Sequence, residues 1–143
     1  MAKKTVLFLC TGNSARSQMA EGLLCHEAGN RFDVHSAGTN PTTVRPEAVA
    51  VMSELGIDIS RQWSKSVDGL KRREFAYVIT VCDAANEVCP IFPGNTKRLH
   101  WSFQDPAAVK GSDEERLAAF RRIRDQIQER VRALVAEAAI AEC

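Results

Sequence analysis

The hydrophobic positions of this chain form short solid runs and longer spaced stripes, and the two alternate. Thr5 to Leu9 (TVLFL) is a compact apolar run of β-formers that stops at Cys10. Thr11, Gly12, Asn13 and Ser14 then supply loop chemistry, so a strand followed by a loop is expected. From Ser17 the stretch SQMAEGLLCHEA is rich in helix formers and sets Met19, Leu23 and Leu24 on one helical face. Phe32 to Ser36 reads as a second strand closing at Ala37-Gly38. Arg45 to Leu55 reads as a second helix, with Pro46 near its start and Gly56 beyond its end. Phe75 to Val81 (FAYVITV) is the continuous apolar strand that a sheet covered on both faces requires, and Lys97 to Trp101 is a weaker fourth strand. From Asp113 onward, Leu117, Phe120, Ile123, Ile127, Val131, Leu134 and Ala138 recur at helical spacing with Arg and Glu opposite, which predicts a long amphipathic helix.

Strands alternating with helices, without repeats or long linkers, predict one α/β domain over residues 1–143: a four-stranded parallel sheet flanked by helices on both faces. Ligands of such sheets sit beyond the carboxyl ends of the strands, where Cys10, Cys82 and the loop after Trp101 all fall. Hydrophobic residues at 45% and charged residues at 26% exclude wholesale disorder. A balance of 19 Lys+Arg against 18 Asp+Glu, net +1, disfavours a nucleic-acid partner, and the arginines of the terminal helix read as a solvated face. No apolar run approaches the ~20 residues of a membrane span, and Val6 to Cys10 is too short for a signal-peptide core. A cytoplasmic protein without a membrane partner, monomeric, is therefore expected. The five cysteines, at 10, 25, 82, 89 and 143, are an odd set in a chain this large, which points to reduced thiols with chemical roles.

The segment Cys10-Thr11-Gly12-Asn13-Ser14-Ala15-Arg16-Ser17 combines a strand-end cysteine, an arginine six residues later and an immediate helix start. A short loop feeding a helix N-terminus aims backbone N–H groups inward, and the helix dipole adds positive potential, so residues 11–17 form a cradle for a tetrahedral oxyanion. Arg16 closes the cradle with forked in-plane donors. The same field favours the thiolate of Cys10 and makes it a nucleophile; Ser17 can donate to its sulfur, and Asn13 tolerates the left-handed backbone the loop needs. The Gly-Lys-Ser/Thr ending of a nucleotide-binding loop is missing. Asp105 precedes Pro106, which holds it extended, and an acid poised over the cradle can protonate a leaving oxygen. Cys82 and Cys89 have the spacing of neither a C-x-x-C redox pair nor a zinc site, so no metal is expected; without further context they read as incidental buried thiols. Cys25 reads as a packed helix residue and Cys143 as a frayed end. His26, His35 and His100 read as surface or supporting residues, and Trp63 and Trp101 as core or edge packing ahead of a place on a pocket rim.

Four ordered motifs, CTGNSARSQMAEG at 10–22, SAG at 36–38, VCDAANEVCP at 81–90 and HWSFQDPA at 100–107, change that weighting. Through them the chain resembles, nearly end to end, the low-molecular-weight tyrosine phosphatase superfamily and, within it, the thioredoxin-coupled arsenate reductases. The resemblance implies reduction of arsenate to arsenite, without a cofactor, in arsenic detoxification. Cys10 is the implied nucleophile, Arg16 the anion clamp and Asp105 the acid. Cys82 and Cys89 complete a thiol relay whose final disulfide thioredoxin reduces. Glutaredoxin-linked reduction and tyrosine phosphatase activity are the rivals; a phosphatase needs an aromatic wall, and the only tyrosine is Tyr77, in an expected buried strand. A non-enzymatic oxyanion-binding module is a third reading. Two departures stand out: Ala15 replaces a cysteine found in many relatives, and Lys65 stands where some relatives have a carboxylate that helps hold potassium, so potassium independence is expected. A continuous helix from Cys82 to Cys89 would hold the pair about 10.5 Å apart, beyond disulfide reach, so oxidation must unwind it.

Overall fold

Each residue from Val6 to Cys10 is buried, and because successive strand residues point to opposite faces, this run demands cover on both sides. A computed structural model, which describes residues 3–141, shows how the cover is arranged. Strand β1 (Lys4–Cys10) lies between β2 (Phe32–Gly38) and β3 (Tyr77–Thr80), and β4 (Lys97–His100) completes the order β2-β1-β3-β4. All three pairings are parallel. Helix α1 (Arg16–Ala28) packs on β1 and β2, and α4 (Asp113–Ala141) packs on α1 and on α2 (Pro46–Ser53). A short α3 (Asp83–Glu87) follows β3 and lies against β1 and β3.

The expected elements are present with altered ends. β3 is shorter than Phe75–Val81, although Ala76 and Val81 still donate to Thr5 and Leu9 at its two ends. The second helix spans Pro46–Ser53, starting at a proline already preset for helical φ, and Gly56 turns the chain beyond it with φ +74°. The long helix begins with a reciprocal cap: Glu115 N–H donates to Ser112 Oγ (3.2 Å), and Ser112 N–H reaches Glu115 Oε1 (3.5 Å). Its stripe from Phe120 to Ala138 is buried as expected. No helix among the described residues is long and apolar enough to cross a membrane. Helix α3 and the short 3-10 turns at Val67–Leu70 and Pro106–Ala108 had no periodic signal.

This order positions the site. From β1 the chain goes to β2 on one side and later returns to β3 on the other, so the crevice at the carboxyl ends of β1 and β3 is the sheet's switch point. Cys10 ends β1 and Cys82 follows β3 closely, on either side of that crevice.

Candidate active site

Between β1 and α1 the loop carbonyls are all spoken for. Backbone N–H groups of Thr39, Asn40, Thr42 and Arg45 donate to the carbonyls of Cys10 (3.1 Å), Thr11 (2.8 Å), Gly12 (3.0 Å) and Ser14 (2.8 Å). The Asn13 carbonyl accepts from Gln18 Nε2 (2.9 Å) and Ser64 Oγ (2.7 Å). With the carbonyls anchored to this outer rail, the loop's N–H groups are left for the inner side. Asn13 N–H points at Cys10 Sγ (3.1 Å). Ala15, the N-cap of α1, provides no side-chain cap, which leaves first-turn donors for an anion.

Asn13 holds the curl. Its φ of +47° is left-handed, and its side chain is fully used: Nδ2 donates to Ser17 Oγ (2.8 Å) and Ser36 Oγ (3.0 Å), and Oδ1 accepts from Lys65 N–H (2.9 Å). Because Ser17 Oγ accepts from Asn13, its own hydrogen is free for Cys10 Sγ, 2.8 Å away. Gly38, at the end of β2, lets the loop approach: a Cβ there would lie 2.5 Å from Thr11 O and 3.0 Å from Asn13 N. That spacing gives the SAG motif its physical reason.

Arg16 joins the cradle to the acid loop. Nη1 donates to Phe103 O (3.0 Å), and Nη2 lies 4.0 Å from Asp105 Oδ2. Asp105 is extended (φ −76°, ψ 109°), as Pro106 demands, and accepts from Ala107 N–H through Oδ1 (3.0 Å). Its side chain is half exposed, within reach of incoming substrate.

Cys82 is buried, caps α3 and lies with Sγ 3.5 Å from Thr11 Oγ1. Cys89 is half-buried beyond the end of α3, its Sγ 3.5 Å from Pro90 O. Burial pushes the Cys89 thiol up, an effect that Arg98 opposes. Cys10, Cys25, Cys82 and Cys89 are all free thiols. Thus Cys10, Arg16, Ser17, Asp105 and Cys82 gather around one loop, and Cys89 follows the C-cap of α3. The helix between Cys82 and Cys89 covers only residues 83–87, shorter than a helix joining them.

Several expectations need correction. Cys25 is not packed; it lies on the exposed face of α1, where partial burial and the nearby Glu21 and Asp33 raise its thiol. Trp63 is 66% exposed, with the Lys65 ammonium 4.7 Å from its ring centre. Trp101 is buried against Phe8 and Phe103, as expected. Tyr77 is half-buried at the amino end of β3, the end opposite the site, so it offers no aromatic wall. Cys143 lies outside the described residues. Sequence reasoning missed Gln18, Ser64, Ser36 and the Thr39–Arg45 rail. Gln18 and Ser36 did lie inside quoted motifs.

Lys65 Nζ is 3.7 Å from Glu21 Oε1 and donates to Trp63 O (2.8 Å), while Glu21 also accepts from Ser36 Oγ. A potassium ion beside Glu21 would meet this ammonium, so these residues do not suit that cation.

An anion loop at the end of β1, a helix rising from it and an acid loop beyond β4 define a phosphatase-like fold. Residues 5–142 match the low molecular weight phosphotyrosine protein phosphatase family, and the chain belongs to it. Among its relatives, an arsenate reductase of Halalkalibacterium halodurans is 49% identical over 132 residues, 92% of this chain and 95% of its own. A solved arsenate reductase in the oxidized state superimposes with a TM-score of 0.81 at 34% identity, covering 94% of this chain and 98% of that one. A thioredoxin-dependent arsenate reductase of Corynebacterium glutamicum gives 0.76 at 32% identity, over 97% of this chain and 63% of that one.

Proposed function

We propose that this chain reduces arsenate to arsenite in the cytoplasm through Cys10, Cys82 and Cys89, is regenerated by thioredoxin, and serves arsenic detoxification. The observation that carries the reading is the Thr11–Cys82 contact, which sets a second thiol beside the loop that holds Cys10. A phosphatase has no use for that thiol. The arsenate reductases among the relatives support the substrate, and the thioredoxin-dependent neighbour supports the reductant.

Arsenate binds to the loop N–H groups and the Arg16 fork, and the Cys10 thiolate attacks arsenic. Asp105 protonates the departing oxygen, which leaves as water. The Cys82 thiolate then attacks the Cys10 sulfur. The sulfur–arsenic bond breaks with its electron pair retained on arsenic, so As(V) becomes As(III), arsenite departs, and a Cys10–Cys82 disulfide remains. Cys89 attacks Cys82, freeing Cys10 as thiolate and leaving Cys82–Cys89 for thioredoxin. Phosphate fits the same cradle, so redox chemistry at arsenic supplies much of the selectivity.

Arsenate reduction assayed separately with thioredoxin plus its reductase, and with glutathione plus glutaredoxin, tests the reading. Turnover is expected in the first system, and turnover in the second alone would overturn the thioredoxin assignment. Cys10→Ser is expected to abolish arsenite formation and any phosphatase activity, because a hydroxyl is far less ionised than a thiol. Near-normal turnover in that variant would remove Cys10 from the reaction.

A further inference from the structure

Beside the cradle, a second group of side chains ties the relay segment to the sheet. His100, the last residue of β4, contacts Thr80 Oγ1 of β3 through Nδ1 (2.7 Å) and Asp83 Oδ1 of α3 through Nε2 (2.8 Å). Ser102 Oγ donates to the same Asp83 oxygen (3.1 Å), and Thr80 Oγ1 also lies 3.3 Å from Asn86 Oδ1 of α3. A neutral imidazole with its hydrogen on Nε2 donates to Asp83 and accepts from Thr80, and an imidazolium donates to both. The bridge therefore survives in either protonation state. The relay chemistry described above uses none of these residues.

Asp83 is the next residue after Cys82, so whatever holds its carboxylate also holds Cys82 in place. A disulfide needs its two Cα atoms within about 7 Å, whereas the N-cap Cys82 and the C-cap Val88 of α3 stand six residues apart, about 9 Å of helix, with Cys89 one residue beyond. Residues 83–87 are helical, and Cys82 Sγ faces Thr11. Bonding Cys82 to Cys89 therefore requires α3 to open, and an opening at its first turn takes Asp83 away from His100. Hydrogen bonds to His100 and then Ser102 hold the Asp83 carboxyl below the usual carboxylate range, with Arg16 adding to the effect, so Asp83 meets His100 as a carboxylate.

We propose that His100 and Asp83 form a clasp that keeps Cys82 against Thr11 in the dithiol form and opens when Cys82 bonds to Cys89. The clasp thereby sets the potential of that disulfide. This inference rests on the relay reading and deepens it; both residues are positioning residues that act through Cys82. Contacts present in the dithiol and lost in the disulfide favour the reduced form, so the clasp raises the reduction potential and eases reduction by a partner dithiol.

The test is equilibration of the full chain, in a Cys10→Ser background, with glutathione and its disulfide, followed by acid quench and mass mapping of the cysteines. In this exchange the Cys82 and Cys89 thiols lose two electrons and two protons while glutathione disulfide becomes two glutathiones. Asp83→Ala and His100→Ala are each expected to raise the oxidation constant about fivefold, equal to about 20 mV for a two-electron couple. The double variant should go no further than either single one, and Asp83→Asn, which keeps an acceptor for His100, should fall between parent and Asp83→Ala. Because the Asp83 side chain is 75% exposed, its alanine variant keeps the core intact if His100→Ala fails to fold. A parent-like constant for Asp83→Ala, or additive effects in the double variant, would overturn the clasp and leave the relay standing. Failure of the parent background to form a Cys82–Cys89 bond would overturn the relay, and the clasp with it.

Discussion

Asn13 shows how far one side chain can organise an anion site. A glycine would reach the same left-handed φ, but only an amide can also orient Ser17, bind Ser36 and accept from Lys65. Arg16 does comparable work on the other side by spanning Phe103 and Asp105. In the proposed reaction its planar fork serves the acid loop and the anion together, which an ammonium on a flexible stem cannot do. Arg16→Lys is accordingly expected to lower kcat/KM for arsenate by about 10²-fold or more, the scale of losing one oxyanion donor. Steady-state kinetics check this, and an unchanged kcat/KM would rule out the clamp geometry.

The loop depends on the elements around it. β2 must end in a residue without a side chain, because the loop carbonyl of Thr11 lies where a Cβ would be. Both colliding atoms belong to backbone, so relief requires moving the cradle. Gly38→Ala is expected to destabilise the fold by about 1–3 kcal/mol and to weaken phosphate binding, read from denaturant midpoints and from competitive inhibition of arsenate reduction. The contact of α1 with the segment before Val67 raises the potassium question. Glu21 on α1 faces the Lys65 ammonium and accepts from Ser36. Exchange of K⁺ for Na⁺ at constant ionic strength is expected to leave both kcat/KM and the melting temperature unchanged. Strong activation by K⁺ would show that the lysine does not substitute for a cation.

Across the sheet, the fold stores the second and third thiols in different environments. Cys82 is buried at the switch point beside Thr11, and Cys89 lies beyond α3 with its thiol pushed up by burial. A raised thiol reacts more slowly at neutral pH, so resolution of Cys10–Cys82 should accelerate as pH climbs above the ordinary thiol range. Cys89→Ala should release arsenite once and then stop as a Cys10–Cys82 disulfide, whereas Cys82→Ala should release none. Single-turnover arsenite release with mass mapping of the bonds distinguishes them. Continued thioredoxin-driven turnover by Cys89→Ala would assign resolution to another thiol.

Much of this was legible along the chain, and the reason is local. Full burial of both faces left VLFL without alternation, Pro46 and Gly56 marked where a helix starts and turns off, and the stripe from Leu117 to Ala138 follows from helical geometry. Cys10, Arg16 and the Asp105-Pro106 step also carry their chemistry in a few adjacent residues. The remainder depends on partners far apart in sequence. The rail that turns the carbonyls of 10–14 outward comes from residues 39–45, Gln18 and Ser64, and the His100–Asp83 bridge joins a strand end to a five-residue helix too short and polar to show a period. Such bonds leave no periodic trace. They exist because the strand order β2-β1-β3-β4 brings the carboxyl ends of β1 and β3 together, and that same packing leaves Cys25 and Trp63 at the surface, where residue type alone suggested packing in the core or at its edge.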